Sequence, residues 1–115
     1  MARMKGDSIF ILSYLNSSKT DIIGNQYPNF GYVKAEEFTK NEDIRKGLFG
    51  FLWKETENFS YISDVTNGYW VVVKTQNNQN VIELDYWDGS VKFEGGIIVH
   101  MGTLKTARNF MKKNK

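Results

Sequence analysis

The sequence predicts an α+β fold. An antiparallel β-meander over about residues 68–101 packs against a C-terminal helix at 103–113, with a second helix near 41–54. Three observations predict it. Two β-rich runs, 69–75 and 81–87, are separated by Gln76-Asn77-Asn78-Gln79, and Asp88-Gly89 joins the second to Val91-Lys92-Phe93. The registers set by these two turns agree on one apolar face: Tyr69, Val71, Val73, Ile82, Leu84, Tyr86, Val91 and Phe93. Beyond Thr103, apolar residues recur at Leu104, Ala107, Phe110 and Met111, the spacing of a helix face.

Along the chain, residues 1–7 read as a loose start to one domain spanning 1–115. Residues 8–15 form a continuous apolar run, a buried first strand or helix. The run is short for an export signal, is broken by Ser13, and leads into Asn16-Ser17-Ser18-Lys19 rather than a small-residue cleavage site. A cytoplasmic location follows. Residues 16–31 are rich in turn formers and read as a long loop of the kind that often carries function. A short helix is expected at 33–40. For 41–54, Asn41 reads as an N-cap, Glu42 and Asp43 suit the positive helix end, and Ile44, Leu48, Phe51 and Leu52 share a face. Ile97 to Met101 reads as a fourth strand, or as the third strand continued across a glycine bulge at Gly95-Gly96.

Composition excludes more than it identifies. The 115 residues contain no Cys and one His, which removes disulfide scaffolds, thiolate nucleophiles and paired-imidazole or Cys-ligated metal sites. No metal or cofactor is implied, and no apolar run is long enough to span a membrane. The net charge of +2 hides an asymmetry. Residues 103–115 carry five basic side chains and no acidic one, leaving ten basic and thirteen acidic elsewhere, a body of −3.

Aromatic residues make up 15% of the chain, and they direct the functional reading. The second face of the expected meander holds Trp70, Val72, Lys74, Val81, Glu83, Asp85, Trp87, Lys92 and Glu94. There Asp85 lies across from Trp70 and Lys92, and Trp87 lies diagonal to Trp70. Two tryptophans beside Glu83 and Asp85 suit a protein or cationic partner, so the chain reads as a small non-catalytic interaction protein. Binding is expected through this aromatic face or through an exposed strand edge, and a free edge would also allow pairing with a second copy. The alternative is a nucleic-acid binder using Lys105, Arg108 and Lys112, which share one helix face. A third reading places a small hydrolase or anion site around His100 and Thr103 at a helix start, with Glu83 and Asp85 as its carboxylates, about 7 Å apart on one strand face. Lys46-Gly47-Leu48-Phe49-Gly50-Phe51-Leu52 resembles the aromatic RNA-binding strand of the RRM and cold-shock families. Leu48 interrupts the pattern, Lys54 stands where a later aromatic would fall, and the likeness is set aside as coincidence.

Overall fold

The computed structural model describes residues 3–4, 9–41, 43, 45–52, 68–76, 79–84 and 89–113. Eight strands and one helix make up this part: β1 (Arg3–Met4), β2 (Phe10–Leu15), β3 (Gly31–Lys34), β4 (Leu48–Leu52), β5 (Tyr69–Lys74), β6 (Val81–Glu83), β7 (Ser90–Phe93), β8 (Gly95–Gly102) and α1 (Leu104–Lys113). All pairings are antiparallel, in the order β1-β6-β7-β4-β2-β5-β8-β3. The broad expectation of an antiparallel sheet with a C-terminal helix is met.

Only Glu94 separates β7 from β8, so residues 90–102 form a nearly continuous strand. Its first part borders β4 and its last part borders β5, with β2 between them. The sheet is thereby drawn into a closed ring of β4, β2, β5 and the 90–102 strand. Laid flat, eight strands would extend about 34 Å across, yet the longest dimension of the molecule is 31 Å.

Period-two alternation sends one set of side chains inside the ring: Ile11, Leu15, Leu48, Val71, Val73, Val91 and Phe93. The other set, with Leu12, Phe49, Phe51, Trp70 and Val72, packs in a second cluster with Leu84 and with Ala107 and Met111 of α1. Because both faces are covered, β5 is apolar from Tyr69 to Val73, and β2 is apolar apart from Ser13. Gly50 is required inside the ring, since a Cβ there would lie 2.4 Å from Ile11 Cγ2 and 2.7 Å from Ser13 Oγ.

Several expectations are corrected. The run 69–75 does not pair with β6; β5 pairs with β2 through all six residues and with β8 on its other side. Strands β6 and β7 are neighbours as expected, but Val81, not Leu84, stands opposite Phe93. The three-residue shift is odd, so Ile82 moves to the face of Lys92 and Val81 to that of Phe93. The connection is correspondingly longer than a two-residue turn, although Gly89 does take the positive φ of 79°. No second helix forms near 41–54 among the described residues: Leu48–Leu52 is β4. Its alternating Phe49 and Phe51 against Gly50 and Leu52 fit a two-faced strand, and a helix would gather neither set. Asn41 makes a turn instead, its Oδ1 accepting the Asp43 N–H at 3.0 Å. Nor does a helix form at 33–40, where β3 runs to Lys34. Ile97 to Met101 continues the preceding strand, with a register shift between Val72 and Val73 that leaves Val99 unpaired.

Candidate functional site

Strand β3 lies at one margin of the sheet, and among the described residues it pairs only with β8. Beyond its end, the Ala35 N–H donates to the Glu94 carbonyl at 3.0 Å. That bond sets the phase of the ladder: Gly31 and Val33 direct their N–H and C=O groups toward β8, while Tyr32 and Lys34 direct theirs outward. The strand enters from Phe30, which is 81% exposed, through Gly31 at a φ of +91°. Tyr32 is 47% exposed, and its hydroxyl accepts a hydrogen bond from Gln79 Nε2 at 2.6 Å. Two exposed aromatics thus stand at a backbone edge that no other described strand pairs with.

The loop before β3 is ordered by Asp21, which is buried. Its Oδ1 accepts the N–H groups of Ile23, Gly24 and Asn25 at 3.0, 2.9 and 2.9 Å. Its Oδ2 accepts Asn25 Nδ2 at 3.0 Å and the Phe49 N–H at 3.3 Å. Asn25 Nδ2 also donates to the Gly47 carbonyl at 2.8 Å. One carboxylate therefore shapes the loop tip and ties it to β4. The adjoining Tyr27 is buried and its hydroxyl has no hydrogen-bond partner among the described residues, while Ser13 Oγ gives its own proton to the Phe49 carbonyl at 2.7 Å. Burial first, and the Asp21 carboxylate second, hold the Tyr27 phenol well above its ordinary range, against a weaker pull from Ser13. Between the loop tip and the end of β3 lies a polar cleft of about 330 Å³, lined by Gly24, Asn25, Gln26, Lys34 and Glu36.

Of the expected binding residues, Trp70 and Glu83 are described. Trp70 is 3% exposed, with its ring 5.2 Å from that of Tyr14 and its cluster covered by α1. It does not present itself to a partner. Asp85 and Trp87 lie outside the described residues, and Glu83 is half-buried at the end of β6. Lys92 is fully buried against Ile82 and Phe49 in register. Its Nζ donates to Thr39 Oγ1 at 3.1 Å and to the Asp43 carbonyl at 2.9 Å, and lies 5.3 Å from the Phe38 ring centre. Desolvation pulls its pKa below that of an ordinary lysine, and Asp43 opposes the shift.

His100 stands opposite Val72 and so faces α1. It stacks on Phe110 at 5.4 Å and shares a 2.9 Å hydrogen bond with Thr106 Oγ1. Thr103 Oγ1 accepts the Thr106 N–H at 3.2 Å, and Thr106 Oγ1 accepts the Thr103 N–H at 3.0 Å. The start of α1 is thus closed by its own side chains. Lys105 and Lys112 are exposed on the helix, and Arg108 is half-buried. Among the described residues no group of three or more His, Asp or Glu could hold a metal ion, and no helix is long and apolar enough to cross a membrane. No family model, curated protein or solved structure matches the chain.

The turn formers of 16–31 mark the loop that holds Phe30, but no motif in the sequence singled out Tyr32, Lys34 or Glu36. The available signal was a lysine in a short β-capable stretch entered by glycine, a common mark of an edge strand.

Proposed function

We propose that this protein is a non-catalytic interaction protein that receives an extended segment of another protein along the free edge of β3. The supporting observation is the outward backbone of Tyr32 and Lys34, flanked by exposed Phe30 and Tyr32. Main-chain bonding to such an edge supplies affinity, and the aromatic side chains supply apolar contact. The test is selection from a random linear-peptide library, followed by Lys34→Pro. Proline removes only the outward N–H at an edge position, so the ladder with β8 survives. Selected peptides should lose binding to Lys34→Pro and to Phe30→Ala, while Lys34→Gln should weaken it by no more than about tenfold. Peptides that bind Lys34→Pro as well as the unaltered protein would defeat the proposal.

A second reading rests on the exposed Lys105 and Lys112 of α1, within a segment of five basic and no acidic residues. A nucleic-acid binder of this kind loses affinity steeply with salt. Charge reversal at Lys105 and Lys112 should flatten that dependence, and a flat dependence from the outset excludes it.

A further inference from the structure

The cleft beside β3 has an unusual electrical character for its size. Lys34 and Glu36 both line it, both are exposed, and neither belongs to an ion pair among the described residues. The Asn25 amide forms a fixed wall, because its Nδ2 is already given to Asp21 and Gly47. Beside it the lining is open at Gly24, where an added Cβ would meet nothing within 4 Å. Lys34 also belongs to the outward-bonding positions of β3, two residues from Tyr32 along the same side of the strand. A side chain of an added antiparallel strand opposite Lys34 therefore shares the sheet face of the Lys34 side chain, which lines this cleft.

From this arrangement, and resting on the edge-binding reading above, we propose that the cleft selects a carboxamide side chain, Asn or Gln, on the bound strand. Its oxygen accepts from the Lys34 ammonium, and its NH2 donates to the Glu36 carboxylate. A carboxylate in the same place gains Lys34 but meets the like charge of Glu36. An ammonium gains Glu36 but meets Lys34. Only a neutral group with an acceptor at one end and a donor at the other satisfies both charges at once.

The test uses three peptides, acetyl-Thr-Val-Xaa-Val-Thr-amide with Xaa as Gln, Glu or Lys, titrated into the full chain and followed by NMR. The Gln peptide should bind about tenfold more tightly than the other two, the scale of one charge-assisted hydrogen bond. Lys34→Gln should move the preference to the Lys peptide, and Glu36→Gln should move it to the Glu peptide. Equal binding of all three peptides, still abolished by Lys34→Pro, overturns the cleft while leaving the edge reading intact. No binding by any peptide overturns both.

Discussion

At the scale of single residues, the informative side chains are the polar ones placed inside. Asp21 accepts main-chain N–H groups from two segments, so Asp21→Ala strands several donors at once and should cost about 3 kcal/mol in denaturant unfolding. Asp21→Asn is expected to recover little of this, because its NH2 would face the donors of Asn25 and Phe49. Tyr27 is the converse case, a buried hydroxyl with no partner among the described residues. Its raised pKa means that stability holds below the ordinary value of 10.0 and falls as the pH rises beyond it, where the unfolded chain alone releases the proton. Tyr27→Phe should leave stability at neutral pH unchanged or raised by up to about 1 kcal/mol, and should remove the alkaline loss. Lys92 has the opposite slope. Its lowered pKa means that the unfolded chain binds the extra proton between that lowered value and 10.5, so stability rises with pH across this window. Lys92→Met should lack the rise, measured as unfolding midpoints at neutral pH and near about pH 10. The comparison leaves Tyr27 out, since both proteins carry it. None of these roles was visible in the sequence, because each depends on which distant backbone the side chain meets.

At the scale of elements, the reading succeeded where local chemistry decides and failed where partners do. The helix cap was legible because Thr103 precedes an apolar stripe at helical spacing. Thr103→Ala should cost about 1 kcal/mol, read as a lower thermal midpoint with reduced helix signal. The 41–54 helix failed because Ile44, Leu48, Phe51 and Leu52 mimic a helical stripe, while the same segment also alternates Phe49, Gly50 and Phe51. What decides between the two is Gly50, which the ring needs for close approach to Ile11. Gly50→Ala would be favoured in a helix but is expected to destabilise this strand by about 3 kcal/mol or to prevent folding. The hairpin expected at 76–79 failed for a related reason. Two self-consistent turns assumed that neighbours in sequence pair, whereas β5 is bordered by strands far from it along the chain. Its unbroken apolar run, with Val71, Val72 and Val73 each fully buried, was the sign of a strand covered on both faces. Trp70 falls on an open face only if a single layer covers the sheet, whereas α1 covers its side as well.

For the whole molecule, the charge asymmetry read from composition keeps its meaning: the basic segment forms α1, which lies over the outside of the ring with Lys105 and Lys112 toward solvent. The sequence made the sheet and helix legible, but not the ring, because closure depends on one strand serving two borders. That strand comes late in the chain. Strands β2, β4 and β5 can be complete while the ring still lacks its closing member, since residues 90–102 supply the missing border to both β4 and β5. During synthesis on a ribosome, the inner apolar set would therefore stay uncovered until Gly102 has left the exit tunnel. A nascent chain arrested short of that point should be cut by protease throughout, and one extended past it should become resistant in a single step.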